Sequence, residues 1–359
     1  MRLFTKLLLT AVLGLGCQMA YSQDLYVLKI EGAVDRIAKV GNGVLSDLLT
    51  VGRTAVYGST GKTAAVLSYK PGAGGYVLDV MDTTTGALSA SWPVGGEPVM
   101  QLSGPSRDIV LTDVAAFFLT VEHGGDAGAS FQLNELSLAD GTIRKVPLPT
   151  GFANPRLVNF GGVPLLYSWN GFGVARFDAT SQRFDQLISR VDVGEVVSRE
   201  EMAQRSGQIG AGAFADHVAV PGAGVFRLSK LGDLQQVLNA DLSPVDEAHS
   251  ISLGPAESVL RLFATTMDDR PGIAVVLKRN GGLQLAYVDA LRLSMLGEQA
   301  LSRGAVPQSF VGSSYNSVFY IDAAVASIKS LSKRSEKAVA RLPASLVGTA
   351  RILWISEGG

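Results

Sequence analysis

An all-β propeller, its ring closed by the two ends of the chain, is the fold this sequence predicts. Three observations predict it. From residue 24 onward, short apolar or alternating runs follow one another, each cut off by Gly, Asp, Ser or Pro, and they are rich in Val, Leu, Tyr and Phe. A unit of strand, tight turn and strand recurs about every 50 residues, the length of one four-stranded blade. Helical periodicity is almost absent. Its one good signal is the capping box Ser198-Arg199-Glu200-Glu201, read as an insertion between strands.

The first 22 residues read as a signal peptide, with 23–359 forming a single propeller domain. Arg2 and Lys6 supply the positive start, residues 7–16 a short apolar core, and Ala20-Tyr21-Ser22 the small residues a leader peptidase reads, so Gln23 is the expected mature start. The expected location is periplasmic or secreted. Cys17 is the sole cysteine and offers a second outcome, lipidation and a lipid anchor, but Gly14 stands where a lipobox carries Leu. Cleavage at Ser22 leaves a mature chain with no disulfide and no thiol chemistry. The apolar stretch of the leader is too short for a comfortable transmembrane span, and later apolar runs are broken sooner.

The hairpin units follow in order. The first reads YVLKIEGAVDRIAKV from Tyr26, the second YVLDVMDTTTGALSASWPV from Tyr76, and the third LNELSLADGTIRKVPLP from Leu133. Next come VARFDATSQRFDQLI from Val174, VFRLSKLGDLQQVL from Val225, LAYVDALRLSMLGEQAL from Leu285, and a weaker unit over 325–337. Intervening runs, such as 98–103 with 108–118 and 155–161 with 163–169, supply the remaining strands of each blade. The expected closure pairs the last runs, 344–348 and 351–355, with 26–40, so both chain ends build one blade and leave no open sheet edge. Seven blades result, with six or eight as alternatives.

Composition narrows the function. Of 359 residues, 47% are apolar and 18% charged, enough for a continuous core and the reverse of a disordered chain. The formal net charge is −1 and no basic run exceeds Lys333-Arg334, so the basic face that nucleic acid demands is missing.

Around the second unit, Asp82-Thr83-Thr84-Thr85-Gly86, the strand 87–94 and Gly95-Gly96-Glu97-Pro98 together resemble the bacterial YVTN-type β-propeller repeat. Leu102-Ser103-Gly104-Pro105-Ser106-Arg107-Asp108 is similar to that family's serine-containing turn between inner strands. The other units share spacing and polarity but not the signature. The resemblance implies a propeller that is exported or surface-borne. It also implies a range of activities from binding to, in related seven-bladed proteins, lactone hydrolysis or amine oxidation. Trp92 departs from the branched aliphatic residue of the repeat and is read as a large core side chain at a blade interface.

In a propeller the loops leading into the innermost strands ring one mouth of the axial channel, and concave mouths attract ligands. The repeat places Arg53, Glu97, Asn154, Arg156, Glu247, His249 and Gln308 at those loops, a set able to grip a small polar or anionic ligand through planar guanidinium groups. The expected function is therefore an exported platform for an unknown protein partner or small polar ligand, without cofactor or metal. The loop 122–130 and the polar insertion 192–206 are the expected partner contacts. A lactonase-type hydrolase is the alternative, with Glu247, His249 and Arg156 as base and oxyanion partners. Gly-x-Ser-x-Gly, His-Glu-x-x-His and Cys-x-x-Cys-His are all missing. Gly58-Ser59-Thr60-Gly61-Lys62-Thr63 looks like a phosphate loop, but Val56 stands in place of its first Gly and the segment reads as a hairpin turn. His123 is expected in an exposed turn and His217 in a structural role.

Overall fold

The computed structural model describes residues 24–99, 106–123, 129–149, 152, 155–168, 173–188, 216–228, 232–245, 249–254, 256–313, 316–332 and 335–356. The predicted leader, the 192–206 insertion with its capping box, Asn154 and Glu247 lie outside them.

Strands β1 (Asp24–Glu31), β2 (Val34–Gly41) and β3 (Val44–Val51) open the chain as an antiparallel meander. The next four, β4 (Arg53–Ser59), β5 (Thr63–Lys70), β6 (Gly75–Asp82) and β7 (Leu88–Val94), form a complete sheet in chain order. The third sheet has an inner edge in two pieces, β8 (Glu97–Pro98) and β9 (Val110–Leu111). Both pair with β10 (Ala115–His123), followed by β11 (Ala129–Ser137) and β12 (Ile143–Val146). The fourth sheet is β13 (Pro155–Phe160), β14 (Val163–Ser168), β15 (Val174–Asp178) and β16 (Arg183–Ile188). The fifth is β17 (Asp216–Val220), β18 (Gly224–Leu228), β19 (Asp233–Leu238) and β20 (Ser250–Ser252). The sixth is β21 (Ser258–Met267), β22 (Arg270–Arg279), β23 (Gly282–Asp289) and β24 (Ser294–Ala300). The seventh is β25 (Val311–Gly312), β26 (Val318–Asp322), β27 (Ser327–Ser332) and β28 (Ser335–Arg341). The last strand, β29 (Ala350–Ser356), returns to pair antiparallel with β1, so the first sheet reads β29-β1-β2-β3.

The fold is thus a seven-bladed propeller closed by both chain ends. The division of the closing blade differs from the expectation. The N-terminal end supplies three strands and the C-terminal end one, because residues 344–346 form a 3-10 turn and only β29 joins the sheet. Val44–Val51 completes this blade as its outer strand and keeps polar or half-exposed side chains on most positions.

Period-two alternation explains why the sheets stack as a ring. On β1, Leu25 and Val27 face the seventh blade and pack with Ile321, Ile328 and Ile352, while Tyr26 and Leu28 face the second and pack with Val66 and Met81. The sixth blade repeats the device: Ile273, Val275 and Leu277 point back to Phe226 and Leu234, and Ala274 and Val276 point forward to Phe310 and Tyr320. Seven such clusters exist among the described residues, one at each junction between neighbouring blades. There is no single central core. The apolar material lies between blades, which leaves the axis free.

Candidate functional site: the axial channel

The innermost strands neighbour one another in the cyclic order β4, β9, β13, β17, β21, β25, β29 and back to β4. Each is reached from the outer strand of the preceding blade, so all run from the same face of the disc. The turns joining the second and third strands of each blade lie on that face as well.

The sequence-predicted site residues divide. Arg53 and Glu97 are the first residues of β4 and β8, and Arg156 is the second of β13, so these three open onto the same mouth. Gln308 sits in a 3-10 turn (Pro307–Ser309) just before β25, where its carbonyl accepts Arg261 Nη1–H at 3.2 Å. His249 does not belong with them. It precedes β20, the outer strand of the fifth blade, and its carbonyl accepts Gln236 N–H at 3.0 Å. Gln236 pairs with Phe226, and Phe226 with Val218 of the inner strand, so three strand spacings, about 14 Å, separate His249 from the channel wall. The inner strand of the sixth blade starts only at Ser258. This removes His249 from the general-base role of the hydrolase alternative.

Arg156 is committed to its neighbours. Its Nε and Nη2 donate to Asp108 Oδ1 at 3.1 and 2.8 Å, and Ser106 Oγ donates to Asp108 Oδ2 at 2.5 Å. Beside this pair stands His217 of β17, stacked on Tyr167 at 4.7 Å between ring centroids. Enclosure, then the guanidinium groups of Arg227 and Arg156, push its imidazole down to about 3, so it is neutral. Asp35 is buried behind the rim and accepts Thr54 N–H at 2.8 Å. Burial raises its pKa against the opposing influence of that bond and of Arg53.

Deeper in the channel is a set the sequence reading did not single out: Arg107, Arg261 and Arg351, around the hydroxyl of Tyr57. Register puts the backbones of Arg261, Arg351 and Tyr57 at one depth, from which Arg261 Nη1 reaches Gln308 O and Arg351 Nη1 donates to Ala350 O at 2.8 Å and Gly348 O at 3.3 Å. Arg351 pairs with Leu28, three positions below Glu31 at the end of its strand, and Arg261 with Val276, three below Arg279. Tyr57 pairs with Val66, four below Lys70. At about 3.3 Å per residue the depth is roughly 10–13 Å.

Arg107 reaches the same level by a different device. The segment Ser106–Ile109 runs parallel to β4, with Tyr57 N–H donating to Ser106 O at 2.9 Å and Ile109 N–H to Tyr57 O at 3.2 Å. Gly58 permits this approach, since a Cβ there would lie 2.0 Å from Ile109 O. Arg107 is exposed to solvent, yet burial is the first cause lowering its pKa, a combination expected of a side chain in an open channel. Enclosure pulls its pKa down, with Tyr57 opposing and Arg261 adding repulsion; Arg351 responds to the same causes in the same order.

No protein family matches the chain, and no curated protein does. Solved structures do. The chain is similar to a functionally unknown protein from Desulfotomaculum acetoxidans DSM 771, at 12% identity over 93% of this chain and 96% of that one, with a TM-score of 0.52. It is similar to apo AztD from Citrobacter koseri at 12% identity over 92% and 97% of the two chains, TM-score 0.51. A third is Kluyveromyces lactis Hsv2 carrying a Gly-Ser linker in place of loop 6CD, at 11% identity over 83% and 85%, TM-score 0.50. At these identities the likeness shows the propeller fold alone.

Proposed function

We propose that this chain is an exported propeller that acts by binding, presenting the mouth of its axial channel to a protein or polar ligand in the cell envelope. The reading is supported by the positions of Arg53, Glu97 and Arg156 at or next to the starts of inner-edge strands in three successive blades of a closed ring. A disc whose seven blade junctions are all packed is rigid, and loops on a rigid scaffold suit recognition. Export rests on the leader-like first 22 residues. Its removal leaves the sheets whole, since β1 begins at Asp24, two residues past the cleavage point. Asp24 is tied into the fold by a 2.6 Å ion pair with Lys39. The resemblance of residues 82–98 to the YVTN-type repeat is consistent with a surface or envelope setting.

The test is capture. The protein, recovered from the envelope fraction with Gln23 as its N-terminus, is immobilised and challenged with an envelope extract. A reproducible partner that is lost from the double variant Arg53→Ala/Glu97→Ala supports the reading. Equal capture by wild type and variant contradicts it.

A further inference from the structure

We infer that the interior of the channel is a binding site for a compact oxyanion, a phosphate or a small polycarboxylate, held by Arg107, Arg261 and Arg351 with the Tyr57 hydroxyl as a fourth donor. The inference rests on the reading of the propeller as a binding protein and names the ligand chemistry of a site deeper than the mouth.

Four observations carry it. First, the donors come from separate blades, the third, sixth, first and second, and meet only because the ring closes. Second, their depth agrees to within one residue for the three that lie on paired strands. Third, among the described residues the positive charge has no carboxylate partner. The nearest carboxylate in sequence, Asp108, is occupied by Arg156 and Ser106. Among the described residues no carboxylate forms an ion pair with Arg107, Arg261 or Arg351. Elsewhere the same chain pairs its buried charges, as Lys70 with Asp79 at 2.7 Å and Lys329 with Asp322 at 2.7 Å. Fourth, donors are left over. Arg107 makes no hydrogen bond to any described residue, and Arg261 Nε is buried without a partner although Nη1 of the same side chain is satisfied.

Cations placed together without anions repel one another, and enclosed walls weaken the screening that water would provide. The pKa of Arg107 and of Arg351 is lowered by burial first, with Tyr57 opposing and the repulsion of Arg261 the smallest contribution. An oxyanion would offset that repulsion. Guanidinium planes present paired N–H donors matched to the oxygens of phosphate or carboxylate, and arginine stays charged throughout the accessible pH range. Tyr57 is held for the task, its ring buried and tilted against Trp354 at 6.4 Å. A cation is repelled by this set, and an uncharged sugar can accept its hydrogen bonds but cannot neutralise its charge.

The experiment is a calorimetric titration of the full chain with inorganic phosphate and, separately, with citrate, at constant ionic strength set by chloride. Binding of at least one is expected, weakened tenfold or more by Arg261→Gln or Arg351→Gln and several-fold by Tyr57→Phe. Arg341→Gln, on the outer strand β28, leaves it unchanged. Phosphate preference marks a phosphoryl ligand and citrate preference a carboxylate ligand.

A second readout guards against variants that merely misfold. In chloride alone Arg107→Gln relieves repulsion, so its melting temperature is expected to equal or exceed that of the wild type, whereas a structural arginine would lower it. The proposal is overturned if neither anion binds the wild type, or if binding survives all three arginine substitutions. Partner capture without anion binding counts against the interior site alone, and anion binding without capture counts against the mouth surface alone.

Discussion

His217 shows how position in a channel wall changes what a histidine can do. Its ring is stacked on Tyr167 and faces Arg227, itself donating from Nε to Gln235 at 2.8 Å, and Arg156. A proton there would be enclosed and repelled by two cations, so the folded chain keeps the imidazole neutral down to about 3, against an ordinary value of 6.5. The sign of the pH effect follows. Above 6.5 neither folded nor unfolded chain binds the proton and His217 adds no pH dependence. As pH falls from 6.5 toward 3 the unfolded chain takes up a proton that the folded one refuses, and stability drops. The melting temperature is therefore expected to fall between pH 7 and pH 5. His217→Phe, which keeps a ring against Tyr167 but cannot titrate, should flatten that fall.

The sequence reading gave His217 a structural role, consistent with its stack on Tyr167, and missed Arg107, Arg261 and Arg351. Nothing local distinguishes an arginine on an inner strand from one on an outer strand. Arg261 and Arg341 lie in equally alternating text, and only the ring assigns one to the axis.

At the scale of elements, the turn between the third and fourth strands of a blade was the legible feature. Asp82 Oδ1 accepts Thr84 and Thr85 N–H at 2.8 and 2.7 Å, and Asp178 accepts Thr180 and Ser181 N–H at 3.0 Å each. Asp140, Asp241 and Asp289 repeat the motif. These side chains imitate a backbone turn, which is why Asp marks the hairpins in the sequence. What the pattern does not encode is phase. In the second, third, fourth, sixth and seventh blades the recurring hairpin is the outer one, but in the first and fifth the matching text falls on the middle hairpins β1–β2 and β18–β19. A one-strand slip in the fifth blade turned β20 into a supposed inner strand and carried His249 to the mouth. The same slip in the first blade hid β3.

Trp92, expected as a core side chain, is half-buried and packs from β7 against the junction with the third blade. Gly141, in the next blade's turn, receives it. Its φ is +75°, and a Cβ there would lie 2.1 Å from Trp92 Cδ1. Gly74 has a similar φ of +73° with open space around it. Gly74→Ala should therefore cost only the backbone term, about 1–2 kcal/mol. Gly141→Ala should add overpacking of about 1–3 kcal/mol. Denaturant unfolding of both variants separates the two terms, and equal losses would mean that Trp92 yields freely.

For the molecule as a whole, closure decides the rest. Ile352 on β29 packs toward the seventh blade while Leu353 and Trp354 pack toward the second, so this one strand serves both junctions of the closing blade. Trp354 lies fully buried and stacked on Tyr26 at 5.2 Å. The chain ends were readable as partners because seven repeats leave an incomplete blade at either end. The three-to-one division was not, since residues 344–348 are as apolar as a strand and only the 3-10 turn removes them. The ring is also what gathers the channel arginines: Arg351 stands on the closing strand itself, and Arg261 and Arg107 reach it from blades far apart in sequence.

An engineered disulfide tests that closure most directly. Lys29 of β1 and Ala350 of β29 are directly opposed across the joint. Opposed residues of an antiparallel pair have Cα atoms about 4.5–5.5 Å apart, within disulfide range. In a Cys17→Ser background, Lys29→Cys with Ala350→Cys should cross-link within one chain under mild oxidation, migrating faster on a non-reducing gel and melting at a higher temperature than its reduced form. Free thiols after oxidation, or cross-links only between chains, would contradict the closed ring and the channel built on it.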